Sequence, residues 1–344
     1  MVSPFVVVWE STKACDFACK HCRAKAIPNR LPGELTKEEV SNLVDDLRQS
    51  GVKLFIISGG DALKREDIFE VIQDSSKKIT TAISPSGSKI DENIARKLKD
   101  SGVSIASISI DGPEEIHDNF RGVKGAFKIA SKAVNSLQNA GIPVQINSTV
   151  SKYNVNQLDK LKETILSFKP VSWDIFILIP TGRATKDMMI SPEEGEDVMR
   201  TVYKWREEGI NVRMTCTPYY VRINNELGNR PLPPDTKYGR RSINGARGCM
   251  AGNGYAFISY DGTVYPCGFL PIPAGNIRER KFSDIYENSP IFKALRNPDD
   301  LQGKCGICEY RTVCGGCRAR AYSLTGNFMA EDPFCLYTPI RVRI

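Results

Sequence analysis

Residues 13–23 read Lys13-Ala14-Cys15-Asp16-Phe17-Ala18-Cys19-Lys20-His21-Cys22-Arg23, directly after the apolar run Phe5–Trp9. Cys15, Cys19 and Cys22 form a C-x3-C-x2-C array. Three thiolates on one short loop can hold three corners of a cubane 4Fe–4S cluster and leave the fourth iron without a protein ligand. An iron left open in this way is a place for a substrate or cosubstrate. The same loop can also be read as three buried or zinc-binding cysteines, and the rest of the chain has to separate the two.

Outward from this loop, β-rich runs alternate with amphipathic stretches. Candidate strands are Phe5–Trp9, Lys53–Ile57, Thr80–Ile83, Ser104–Ser109, Pro143–Val150, Trp173–Ile179 and Asn211–Thr215. Candidate helices are Lys37–Gln49, opened by a Thr36-x-x-Glu39 capping box, then Arg65–Gln73, Glu92–Lys99, Ala126–Gln138, Gln157–Phe168 and Pro192–Glu207. Such alternation implies parallel strands joined by right-handed crossovers. Six units predict an α/β chain folded as a partial (β/α)6 TIM-like barrel, with its site on the loops after the strands. The cysteine loop follows the first strand.

Other loops in that position carry suggestive groups. Ser58-Gly59-Gly60-Asp61 follows the second strand; two glycines allow close backbone approach, and Asp61 can accept hydrogen bonds from an ammonium group. Period-two alternation puts Ser109 and Asp111 on one face, aimed at the barrel mouth. Arg121 can pair with a carboxylate or with the neighbouring Asp118. Asn147 and Thr149 are two apart on the fifth strand, and Thr181-Gly182-Arg183 is a glycine turn with a cation. Of the two histidines, His117 is read as structural and His21 as packing beside the cysteines.

The chain has 344 residues, 41% hydrophobic and 25% charged, with a net charge of +7. This composition describes a globular protein with a real core. No basic block suggests nucleic acid, no apolar run reaches the ~20 residues of a membrane span, and the first ten residues lack a basic signal-peptide region. Eleven cysteines without an export signal speak for metal or redox chemistry rather than disulfides, with the cytoplasm as the expected compartment.

Seven of those cysteines lie beyond residue 248. Cys249 and Cys267 flank a predicted hairpin, Tyr255–Ser259 and Thr263–Cys267 around Asp261-Gly262. Cys305-x2-Cys308-x5-Cys314-x2-Cys317 and then Cys335 follow. The Pro- and Gly-rich stretch before Cys249 marks a boundary, so the expected division is 1–216 barrel, 217–248 bridging segment and 249–344 cysteine-rich domain. That bridge can cross the barrel mouth or run as a surface linker.

Residues 5–185 resemble a radical SAM domain, and the C-terminal cysteines resemble the SPASM extension of such enzymes. The resemblance implies that S-adenosylmethionine chelates the open iron of the cluster on Cys15, Cys19 and Cys22. It further implies that Gly59, Gly60 and Asp61 bind the methionine amino group, with Asp61 where the family commonly has Glu. Ser109, Asp111, Arg121, Asn147 and Arg183 become candidates for ribose, carboxylate or substrate contacts. In the same family the C-terminal cysteines hold two auxiliary clusters, which by correspondence are Cys305, Cys308, Cys314 and Cys335 for one, and Cys249, Cys267 and Cys317 for the other. The spacing Cys314-x2-Cys317 departs from the commoner three. Residues 241–248 lack the extra cysteine that completes the second set in some relatives. That set then has an open iron, or is completed by Cys216 or a non-cysteine group, while Cys216 also reads as an ordinary buried cysteine.

The expected function is an oxidoreductase that cleaves S-adenosylmethionine reductively and uses the 5′-deoxyadenosyl radical to take hydrogen from a peptide or tetrapyrrole-type substrate. A ferredoxin or flavodoxin would supply electrons. Gly315–Tyr322 resembles the tetrapyrrole group, and Arg318 and Arg320 are its candidate carboxylate contacts. The first strand begins near residue 5, which disfavours a fused N-terminal peptide-recognition domain. The alternatives are an iron–sulfur electron carrier or a zinc-stabilised binding protein, the latter using Cys305, Cys308, Cys314 and Cys317. No catalytic acid or base is assigned.

Overall fold

The structure, a computed structural model, describes residues 3–228 and 248–340. Seven strands alternate with helices in the first part: β1 (Val6–Glu10), β2 (Leu54–Ser58), β3 (Thr80–Ile83), β4 (Ile105–Ser109), β5 (Val144–Val150), β6 (Ser172–Ile177) and β7 (Val212–Thr215). The helices between and after them are α1 (Lys37–Gln49), α2 (Ile68–Ser76), α3 (Glu92–Asp100), α4 (Glu114–Arg121), α5 (Ala126–Asn139), α6 (Leu158–Ser167), α7 (Pro192–Glu207) and α8 (Tyr220–Leu227). The later part adds β8 (Tyr255–Ile258), β9 (Thr263–Tyr265) and β10 (Gly275–Asn276). It closes with α9 (Phe282–Asn288), α10 (Pro290–Arg296), α11 (Gly303–Ile307) and α12 (Arg318–Thr325).

Strands β1 to β7 pair in sequence order, all parallel, as the six-unit barrel with an extra closing strand requires. Side chains alternate across them. On β4 and β5, Ala106, Ile108, Val144, Ile146 and Val150 are buried against the helices, while Ser107, Ser109, Gln145, Asn147 and Thr149 point into the half-open barrel. The inner face therefore becomes polar near the strand ends, where the loops gather.

The C-terminal part does not form a separate sheet. β8 lies parallel beside β1, with Val6 opposite Tyr255 and Trp9 opposite Ile258. The Asp261-Gly262 hairpin then runs antiparallel into β9, and β10 completes the order β10-β9-β8-β1-β2-β3-β4-β5-β6-β7. One apolar core includes Trp9 and Phe55 from the barrel and Ile258, Phe282 and Tyr286 from the later part.

Two stretches read as loop or bridge are helical. α4 starts after Gly112-Pro113 and stops at Gly122, whose φ of 70° allows the left-handed cap. α8 occupies the front of the expected bridge and packs on α7 through Arg222, which is bound by Glu196 and Glu226. Residues 229–247 of that bridge lie outside the described residues.

Candidate iron–sulfur and cosubstrate site

The cysteine loop leaves β1 and is held from several sides. Cys15 N–H donates to the Ile27 carbonyl at 2.8 Å, and Ile27 N–H returns to Lys13 at 3.0 Å, so the loop closes on itself. The β2 loop fastens its start: Gly60 N–H donates to Thr12 O and Asp61 N–H to Ala14 O, both at 2.7 Å. A Cβ at Gly60 would stand 2.4 Å from the Ala14 oxygen. The β6 loop fastens its end, with Arg183 N–H donating to the Cys22 carbonyl at 3.0 Å. Gly182, at φ 73°, leaves no room for a side chain against the Cys22 and Arg23 carbonyls. These glycines let two neighbouring loops touch the cysteine backbone directly.

All three thiols face one cavity of about 240 Å³. They accept weak N–H···S bonds: Phe17 N–H to Cys15 and Ala26 N–H to Cys22 at 3.4 Å, and Arg121 Nη1 to Cys19 at 3.8 Å. Such donors suit thiolates that carry a cluster's charge. Burial raises the Cys15 thiol to about 11 and the Cys19 thiol above its ordinary value. Without a metal to take their protons these groups stay neutral.

The cavity walls place the other predicted residues unequally. Gly59, Gly60, Ser109, Arg121 and Asn147 line it, as do Ser86 and Thr149. Asp61 is fully buried behind the wall. It caps the turn at Leu63 N–H and accepts from the Ser86 hydroxyl at 2.5 Å and the Ser88 hydroxyl at 3.1 Å. An ammonium group there would meet the seryl hydroxyls before the carboxylate.

Asp111 does not share the inward face of Ser109, because β4 ends at Ser109 and the chain turns. Its carboxylate is buried, accepts Thr149 N–H at 2.8 Å and pairs with Arg121 at 2.6 Å. Burial alone would raise that carboxyl, but Arg121, His21, His117 and the Thr149 amide together hold it below the usual range. Arg121 thus bridges Asp111 to Cys19, while Asp118 instead accepts from the Gly125 and Phe127 amides.

Arg183 reaches back to the Ala26 carbonyl at 3.3 Å rather than lining the cavity. His21 stacks on Phe120 at 3.8 Å, and burial pulls its imidazole down to about 3. The far wall, which the loop-by-loop reading did not single out, is apolar: Phe176, Ile177, Leu178, Ile179 and Phe269 stand beside Cys216. The unbroken apolar run at the end of β6 was the signal for it.

The C-terminal cysteines separate into two groups. Cys305, Cys308, Cys314 and Cys335 surround a small cavity of about 30 Å³. Amide donors point at them, from Tyr310 to Cys308, Gly316 to Cys314 and Asp332 to Cys305, each at 3.4 Å. Cys317 does not line that cavity. It packs with Cys249 and Cys267 in an apolar cluster that also takes in Cys305, and burial followed by the Cys249 and Cys317 charges keeps Cys267 up at about 12 despite the Phe269 amide.

Cys335, and not Cys317, lines the small cavity with Cys305, Cys308 and Cys314, which does not favour the four-thiolate zinc set Cys305, Cys308, Cys314 and Cys317. Among the described residues no group of three or more His, Cys, Asp or Glu side chains is drawn in around a single metal ion. None of the eleven cysteines is joined in a disulfide. Buried thiols in two groups, each with directed N–H donors, suit the thiolate ligation of iron–sulfur clusters.

Arg318 and Arg320 are not available to a substrate. Both are fully buried at the start of α12. Arg318 donates to the Ala330 carbonyl at 2.6 Å and to Cys305 at 3.7 Å. Arg320 donates to Tyr219 Oη at 3.0 Å and faces Asp332 at 3.6 Å. They compensate thiolate and carboxylate charge inside the protein, which corrects the expectation of carboxylate-binding arginines.

A parallel partial barrel with a three-cysteine loop after its first strand, followed by two further cysteine groups, is the arrangement expected of an iron–sulfur protein with a cavity beside its first cysteines. Residues 9–165 match the Radical SAM superfamily and residues 249–318 match an iron–sulfur cluster-binding domain, SPASM. The chain belongs to the radical SAM superfamily, carries a SPASM region and is an enzyme. It is 39% identical over 342 residues to the "AdoMet-dependent heme synthase" of Methanosarcina barkeri, covering 98% of this chain and 97% of that one. It is 32% identical over 355 residues to the same organism's "Fe-coproporphyrin III synthase", covering 97% and 88%. Streptococcus suis SuiB bound to S-adenosylmethionine shares the fold at TM-score 0.77, with 16% identity, covering 97% of this chain and 78% of that one.

Proposed function

We propose that this chain is a haem-pathway radical SAM enzyme that oxidises propionate side chains of an iron tetrapyrrole. The observation that carries the reading is the 39% identity spread over nearly the full length of both this chain and a haem synthase. Fe-coproporphyrin III and haem differ at two side chains, propionates in the first and vinyl groups in the second. Each conversion removes carbon dioxide, one hydrogen atom and one electron.

In this reading Cys15, Cys19 and Cys22 hold the cluster that binds S-adenosylmethionine, and the two C-terminal groups hold auxiliary clusters. When bound, these groups supply a 5′-deoxyadenosyl radical as hydrogen acceptor and a sink for the remaining electron. The chain's own residues orient and shield. The backbone at Gly59 and Gly60, with Ser86, Ser109 and Asn147, offers hydrogen bonds to the cosubstrate. Arg121, held rigid by Asp111, fixes Cys19 and keeps positive charge at the wall. Phe176, Ile179 and Phe269 present an apolar surface to a flat macrocycle and exclude water from the reacting carbon. A ferredoxin or flavodoxin in the cytoplasm would deliver the electrons. No helix among the described residues is long and apolar enough to cross a membrane.

The test is anaerobic reconstitution with iron and sulfide, then incubation with reductant, S-adenosylmethionine and Fe-coproporphyrin III. About eight to twelve irons per chain, 5′-deoxyadenosine and a vinyl-bearing porphyrin are the expected products. Replacing Cys15, Cys19 and Cys22 together by Ala should abolish 5′-deoxyadenosine while sparing the C-terminal irons. Active cleavage of S-adenosylmethionine with an unaltered porphyrin would move the substrate to the peptide class. Bound zinc without 5′-deoxyadenosine would sink the enzyme reading.

A further inference from the structure

The trio Cys249, Cys267 and Cys317 is one ligand short of a closed cubane, and residues 241–248 contain no cysteine to complete it. Cys216 lies far away in sequence, directly after β7, yet it packs in the same apolar cluster as these three, a cluster that Cys305 also joins. It is also on the wall of the cavity that holds Cys15, Cys19 and Cys22. Its backbone is left-handed, with φ of 57°, a conformation that side-chain-bearing residues other than Asn and Asp seldom take. Strain of that kind at a non-glycine residue is commonly kept where a side chain must point in one direction.

Two described oxygen groups near the trio are engaged. Asp332 accepts Cys317 N–H at 2.8 Å through one oxygen and Phe334 N–H at 3.1 Å through the other. The Tyr219 hydroxyl accepts from Arg320. Among the described residues Tyr255 also neighbours Cys267 and Cys216. A phenol is a hard oxygen donor, whereas the soft irons of a cluster prefer thiolate.

We propose that Cys216 is the fourth thiolate ligand of the cluster held by Cys249, Cys267 and Cys317, and that this cluster is closed. The proposal rests on the iron–sulfur reading of the C-terminal cysteines. Its consequence is specific: the cluster stands at the edge of the substrate cavity as an electron acceptor and offers the substrate no open iron. Cys216 is then the point at which cluster and cavity meet.

The test uses the chain with Cys15, Cys19 and Cys22 replaced by Ala, reconstituted anaerobically so that only the C-terminal clusters remain. Brief ferricyanide treatment converts a cubane with one non-thiolate iron to a three-iron cluster, losing one ferrous ion and passing one electron to the oxidant. With Cys216 present, no more than a trace of the three-iron paramagnetic signal is expected. Adding Cys216→Ala should bring it to about one per chain, while adding Tyr255→Phe should not. A full signal with Cys216 present, or no change on Cys216→Ala, overturns the proposal. If Cys216→Ala does not fold, the Mössbauer spectrum of the parent decides: all-thiolate irons support it, and a distinct iron subsite overturns it. Failure of the parent to bind any iron would instead overturn the cluster reading on which the proposal stands.

Discussion

A methyl group at Gly60 would lie 2.4 Å from the Ala14 oxygen and 2.7 Å from that of Lys13, both backbone atoms of the cysteine loop. Neither can move without moving Cys15. Gly60→Ala is therefore expected to lower S-adenosylmethionine cleavage at least tenfold and to remove about four irons per chain. Iron analysis and chromatography of 5′-deoxyadenosine check this, and the C-terminal irons should remain. His117 gives a prediction about pH. Burial, then Arg121, holds its imidazole down at about 4, against about 6.5 in an unfolded chain. Between those values the unfolded chain binds more protons than the native one, so stability falls as pH drops from 6.5 towards 4. Between pH 7 and pH 5 the apo-protein should lose about 2 kcal/mol from this group. His117→Gln keeps an acceptor for the Asp111 amide and should flatten that loss in urea titrations. Cysteine spacing made the three-cysteine loop legible at this scale, while the grouping of Cys335 away from Cys317 came from the resemblance to SPASM proteins and not from spacing. The roles of Asp111, Arg183, Arg318 and Arg320 were not legible, because a charged residue's partner is chosen by tertiary contact.

At the scale of the element, α1 shows how much local chemistry can specify. Thr36 accepts Glu39 N–H, and Glu39 in turn accepts Thr36 N–H, so both ends of the capping box in the sequence are present. Glu39 has a second partner that no local pattern shows: Arg278, which follows β10. That hydrogen bond, foremost, lowers the Glu39 carboxyl to about 2. Its contribution is fully present above about pH 4.5 and is lost as pH falls through about 2. Thr36→Ala should cost about 1 kcal/mol. Glu39→Gln should cost less than about 1 kcal/mol, because both side chains are about a third exposed and solvent screens the pair. Denaturant unfolding at neutral pH checks both. α4 went unread for the opposite reason. Its polar sequence hid a short amphipathic helix, although Pro113 before it and Gly122 after it are the ordinary start and stop signals.

At the scale of the molecule, the ten-stranded sheet joins what composition divided. The change near residue 249 is a change of chemistry, from strand-end polar groups to cysteines, while the hydrogen-bonded ladder runs through from β1 to β8. Pairing between strands some 250 residues apart leaves no periodic trace in the sequence, so alternation predicted the strands and not this neighbour. Residues 1–228 made alone would expose the β1 edge and uncover Trp9, which is now fully buried. That fragment should aggregate or elute as large species in size-exclusion chromatography, whereas the whole chain should not. The central claim concerns where the cavity's hydrogen comes from. Fe-coproporphyrin III deuterated on its propionate methylenes, turned over with reductant and S-adenosylmethionine, tests it most directly by mass spectrometry of the 5′-deoxyadenosine formed. The account predicts deuterium in that product for each propionate converted to vinyl. Vinyl formation with unlabelled 5′-deoxyadenosine would contradict it.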